Sequence, residues 1–177
     1  MKIIAFIVGV FAVALFLLCF QLKKREHIIL CNIISRTLYI IQYCLLGEFI
    51  GAAMDISAIP SSAIASKKNH QFIARFKIPI IILVNVIIVA IGLALYKGFI
   101  SLLPIAAVIL ETAALWFSRE KVVRIVSLTA QPMWFTYNLL CGAYASAIGN
   151  ALASVSIIIA LLRYKSMDLH NKEMKGI

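Results

Sequence analysis

Apolar runs alternating with short charged breaks organise the whole chain, and the stretch from Ile28 to Ser66 sets the terms for the rest. In it an apolar segment carrying Asn32, Ser35, Arg36, Tyr39 and Gln42 runs through Tyr43-Cys44-Leu45-Leu46 to Gly47. A second segment, carrying Asp55, Ser57, Pro60, Ser61 and Ser62, follows at once. These two runs span 28–46 and 49–66, and five more occupy 3–20, 78–96, 99–117, 122–140 and 144–162. A run of roughly 18–20 residues is long enough as helix to cross a hydrocarbon core of about 30 Å. Strands of a membrane barrel would alternate polar and apolar positions, which these runs do not. The pattern predicts an all-α membrane protein with seven transmembrane helices.

Composition agrees. Hydrophobic residues make up 63% of the 177 and charged residues 14%, with a mean hydropathy of +1.02. Soluble domains sit nearer 45–50% apolar. A net charge of +10 would suit nucleic acid if the basic residues formed one soluble face, but they lie in the short breaks. Of the 17 Lys and Arg, 14 fall after the first, third and fifth runs or in the tail, and only Lys2 and Lys97 on the opposite side. Such an asymmetry places the N-terminus outside and the C-terminus in the cytoplasm, and nucleic acid is not an expected partner. The first run resembles the apolar region of a signal peptide, but Leu17-Leu18-Cys19-Phe20 offers no small residue for cleavage, so it reads as a retained span. The polar tail beyond Arg163 is expected to fray. Four irregularly spaced cysteines form no disulfide or metal framework, and Cys44 and Cys141 are expected to be free thiols.

The first three runs match the last three. Phe20 and Phe117 each close a run before a basic break, Tyr43-Cys44-Leu45-Leu46 answers Tyr137-Asn138-Leu139-Leu140, and Gly47 answers Gly142. With one gap, Asp55 aligns with Asn150. Two three-helix units joined by one linker helix must point the same way, as parallel repeats. The division is a first bundle at 1–66, a basic loop and linker helix at 67–97, a second bundle at 98–164 and a polar cytoplasmic tail at 165–177. The segments Leu45-Leu46-Gly47 with Gly51-Ala52, Leu102-Leu103-Pro104, and Trp134 to Asn138 carry a resemblance to the YgjV-like bacterial inner membrane proteins. That family looks like a distant relative of the PQ-loop and SWEET transporters, which implies a 3+1+3 helix arrangement. Trp134, Tyr137 and Asn150 resemble the aromatic and asparagine signals of that fold. Gln131-Pro132 reverses the order of the Pro-Gln pair and lies in a second helix, and Asp55 stands where asparagine is usual.

Arg36 and Asp55 are the centre of the candidate site. An arginine at mid-depth costs roughly 2.5–3.5 kcal/mol on insertion scales, so such a residue calls for a partner. Counted from the intervening turn at 1.5 Å per residue, the two differ in depth by only about 3 Å. They read either as a structural ion pair or as part of a solute or proton pathway. Tyr39 shares the Arg36 face, Gln131, Trp134 and Asn138 share a stripe of the sixth run, and Asn150 sits on the seventh. These are the candidate solute-binding residues; the same stripes serve equally as glue between helices. Glu111, the remaining acid at membrane depth, is a candidate for proton coupling, or without a partner is buried as a neutral acid. No catalytic, metal or phosphate motif occurs, and no enzyme activity or cofactor is expected. The expected function is transport of a small polar solute through a midplane site between the repeats, with a non-transporting scaffold or accessory subunit as the alternative. Membrane lipid and the solute are the implied partners, and a homo-oligomer is compatible with the sequence.

Overall fold

The computed structural model describes residues 1–19, 25–68, 70–117 and 119–175. It is all helix, with no strand among the described residues. The helices are α1 (Lys2–Cys19), α2 (Arg25–Leu46), α3 (Phe49–Ser66), α4 (Gln71–Arg75), α5 (Lys77–Ala94), α6 (Leu102–Ala114), α7 (Glu120–Leu140) and α8 (Tyr144–Lys175). By length and composition, Phe49–Ser66, Lys77–Ala94 and Tyr144–Leu162 suffice to cross a membrane. Shorter apolar helical stretches cover Lys2–Leu18, Leu30–Leu46 and Phe99–Ala114.

Three details differ from the sequence pattern. The basic loop after Ser66 contains the short helix α4. The fifth run opens with a 3-10 turn, Phe99–Ser101, and its α-helix stops at Ala114. There the Lys68 ammonium donates to the carbonyls of Leu115 (3.1 Å) and Phe117 (2.7 Å), supplying donors where a helix end leaves carbonyls without intrahelical partners. The tail expected to fray continues α8 as helix to Lys175; its Leu, Met, Lys and Glu residues are good helix formers. The expected closing residue of the first run, Phe20, lies outside the described residues.

Proline placement follows backbone physics. Pro79 and Pro104 are the third residues of α5 and α6, where the missing N–H would have had no intrahelical acceptor. Pro60 and Pro132 are interior to α3 and α7.

Two turns are built identically. Gly47 and Gly142 adopt φ of 79° and 76°, the left-handed conformation that ends a helix at little cost for glycine. Glu48 N–H donates to the Tyr43 carbonyl and Gly47 N–H to that of Cys44. Ala143 and Gly142 repeat both bonds to Asn138 and Leu139. Each turn reverses the chain tightly, so α3 packs on α2 and α8 on α7.

Further packing brings α1 against α2 and α8, α6 against α7 and α3, and α5 against α3 and α6. Alanines at the crossings permit close approach: Ala58, Ala107 and Ala130 are wholly buried. Around them Tyr43, Met54, Ile88, Val108, Trp134 and Tyr137 form the core. The polar faces of α2, α3, α6, α7 and α8 turn toward this interior. The aliphatic face of α5, with Ile78, Ile82, Leu83 and Val86, is exposed, as suits contact with lipid.

Candidate functional site

Among the helices lies a small cavity with an open mouth. Arg36, Tyr39, Asp55, Glu111, Gln131, Trp134, Asn138 and Asn150 all line it, so the candidate solute-binding residues and Glu111 border one space. Tyr137, also marked in the sequence, does not line it. Phe16, Asn32 and Tyr43 complete the lining. Asn32 and Tyr43 belong to the polar face of α2 and could have been added from its spacing. Phe16, in an aliphatic helix, carries no such signal.

One wall is ionic. Arg36 Nη1 donates to Asp55 Oδ1 at 2.6 Å, Nη2 to Glu111 Oε2 at 3.2 Å, and Nε to Asn32 Oδ1 at 3.3 Å. The feasible Arg36–Asp55 pair therefore forms, and Glu111, which stood alone in the sequence, joins it from α6. The side chains of Arg36, Asp55 and Glu111 are 17%, 6% and 19% exposed. Within the low-dielectric interior the two carboxylates and one guanidinium attract strongly. With both acids ionised the triad carries a formal charge of −1.

The other wall is a relay of neutral groups. Tyr43 Oη donates to Asn138 Oδ1 (2.7 Å), Asn138 Nδ2 to Asn150 Oδ1 (2.8 Å), and Asn150 Nδ2 to Gln131 Oε1 (3.0 Å). Outside the cavity lining, Ser146 Oγ donates to Gln42 Oε1 at 2.5 Å and joins α8 to α2.

Two of the lining residues, Tyr43 and Trp134, belong to an aromatic cluster with Tyr137. Tyr43 stacks with Trp134, centroids 6.3 Å apart and planes 19° from parallel, while Tyr137 meets Trp134 edge-on at 6.1 Å. The Tyr137 hydroxyl accepts the Gly51 N–H (3.1 Å) and donates to Glu48 Oε2 (3.4 Å). Gly51 is the third residue of α3, whose N-cap residue Glu48 makes no side-chain cap of its own. A tyrosine from α7 thus serves as the cap of α3, a role that no local sequence signal announces.

Among the described residues, no group of three or more His, Cys, Asp or Glu side chains has a metal-binding arrangement. Cys31, Cys44 and Cys141 are free thiols. Burial pushes the Cys141 thiol, in the turn after α7, up to about 11.

The family model for Imp-YgjV, described as bacterial inner membrane protein, matches residues 3–168. No curated protein and no solved structure matches the chain.

Proposed function

The chain belongs to this family of bacterial inner membrane proteins, and from that premise we propose that it passes a small polar solute across the membrane through the central cavity. The observation that carries the reading is a charged triad lining a cavity instead of being sealed by packing. Ionic groups at membrane depth are costly, and where they face a cavity they commonly mark a pathway. The solute sits between the Arg36, Tyr39 and Asp55 side and the Gln131, Trp134, Asn138 and Asn150 side. Glu111 is the proposed proton-coupling group, since one proton brings the triad from a formal −1 to neutral.

In this reading seven helices cross the membrane as two parallel three-helix bundles, α1–α3 and α6–α8, with α5 as linker. The contacts support such a repeat. Exchanging α1 with α6, α2 with α7 and α3 with α8 turns the α1–α8 contact into the α3–α6 contact. The matching glycine turns at Gly47 and Gly142 follow the same exchange. The charge asymmetry sets the N-terminus outside and the C-terminus in the cytoplasm. Transporter sites commonly lie at such repeat interfaces near the midplane.

The competing reading is a scaffold or accessory subunit, for which the relay from Tyr43 to Gln131 is packing glue. Proteoliposomes containing the purified chain decide between them. They should release trapped small solutes from a panel of amino acids, amines, organic acids and polyols faster than empty vesicles do, and Trp134→Ala should change that rate. Release no faster than from empty vesicles across the whole panel would leave the scaffold standing.

A further inference from the structure

The two walls of the cavity differ in hydrogen-bonding sense, and this difference bears on what the cavity holds. The direction of the neutral relay is fixed at its buried end. Tyr43 is 2% exposed, and its hydroxyl hydrogen needs an acceptor; among the described residues Asn138 is the group it bonds. Asn138 must therefore present its oxygen to Tyr43 and its NH₂ to Asn150, which in turn presents its NH₂ to Gln131. Each amide oxygen along the relay receives a donor. What remains at the end is the Gln131 NH₂, on a side chain in a residue 4% exposed, facing the cavity with no acceptor among the described residues. The Trp134 indole N–H, in a residue 5% exposed, also lacks one among the described residues.

The α7 side of the cavity thus offers two donors, the Gln131 NH₂ and the Trp134 indole N–H, that no described group of the protein accepts. On the Arg36 side, two carboxyl groups face one guanidinium, leaving acceptor lone pairs it does not use and, with both acids ionised, a formal excess of one negative charge. A solute that satisfies both walls needs a cationic donor at one end and an anionic or strongly accepting group at the other.

Deepening the transport reading, on which it rests, we propose that the cavity binds a compact zwitterion of the amino-acid class. Its ammonium lies toward Asp55 and Glu111, and its carboxylate accepts from Gln131 and Trp134. Tyr39, on the Arg36 side, supplies a ring that favours a nearby ammonium.

The test uses the full chain in detergent and in proteoliposomes with four probes of similar size: alanine, ethylamine, propionate and glycerol. Alanine should bind at least about tenfold more tightly than ethylamine or propionate, because each lacks the partner of one wall. Gln131→Glu keeps an oxygen for Asn150 but replaces the free donor with an acceptor. It should shift the preference from alanine to ethylamine while the protein remains folded by circular dichroism. Glu111→Gln should weaken alanine and ethylamine more than propionate. Passage of glycerol with no binding of alanine would overturn the zwitterion assignment and leave the transport reading intact. Equal binding of alanine and ethylamine, unchanged in Gln131→Glu, would overturn it as well. Binding of none of the four probes sinks the assignment, and the broader solute panel then decides transport separately.

Discussion

Glu111 reaches Arg36 at 3.2 Å from a helix 75 positions further along the chain, so the guanidinium is shared between two acids. This third member changes how the ion cluster responds to mutation. A lone pair would leave an orphan cation when Asp55 is neutralised. In the triad, Asp55→Asn still leaves Arg36 beside Glu111, and Glu111→Gln leaves it beside Asp55.

Each single acid replacement is therefore expected to be mild, and the double replacement severe. Asp55→Asn with Glu111→Gln strands a buried cation, a change that costs about 3–5 kcal/mol when a buried pair is broken. Its loss should exceed the sum of the single losses by about 1–3 kcal/mol in a thermal or denaturant cycle in detergent. Additive losses would mean that the two acids do not share the arginine.

Arg36→Gln should be strongly destabilising, by about 3–5 kcal/mol, because it leaves two buried carboxylates without their cation. Arg36→Lys keeps a cation and should lose less, measured by thermal unfolding in detergent. Equal losses in the two variants count against the arrangement.

Tyr137→Phe should destabilise by about 1–3 kcal/mol, because the Gly51 amide at the start of α3 loses its acceptor while buried. Hydrogen exchange at the first turn of α3 should rise in the same variant. Unchanged exchange there would remove the tyrosine from its capping role.

Gly51→Ala tests the same contact sterically. A Cβ at this position would lie 2.9 Å from Tyr137 Oη and 3.1 Å from a Tyr43 ring carbon, so either the tyrosine rings or α3 must shift. The expected loss is about 1–3 kcal/mol. Part of the clash disappears with Tyr137→Phe, so the double variant should lose less than the two singles combined. Strict additivity would show that the contact does not bind the helices together.

Cys141 offers a pH test outside the spans. A thiol pushed up to about 11 is almost wholly protonated at neutral pH, and the thiolate is the reactive form. In a variant whose other cysteines are serine, maleimide labelling should accelerate roughly tenfold per pH unit between pH 7 and pH 9. Early saturation of the rate would place the thiol in an open setting. On the proposed topology an impermeant reagent labels it from outside, as it does a cysteine placed at Lys97, while one at Lys68 is protected.

The sequence by itself determined the helices and much of their contents. Membrane-length apolar runs have one regular backbone solution in lipid, and the bounds of α3, α5 and the Tyr144–Leu162 part of α8 follow the runs closely. Glycine at 47 and 142 could be read as a pair of turns because left-handed backbone is cheap only for glycine. The polar stripes were legible because side chains three and four apart share a helical face. Which stripes meet was not, because it depends on how whole helices cross. Arg36 and Asp55 are joined by a short turn, so their pairing could be argued from depth alone. The pairing of Arg36 with Glu111, the capping of α3 by Tyr137 and the one-way relay ending at Gln131 arise between helices far apart in the chain. Residue type fixes what a group can donate or accept, but only the packed arrangement decides which partner uses it and which group is left facing the cavity.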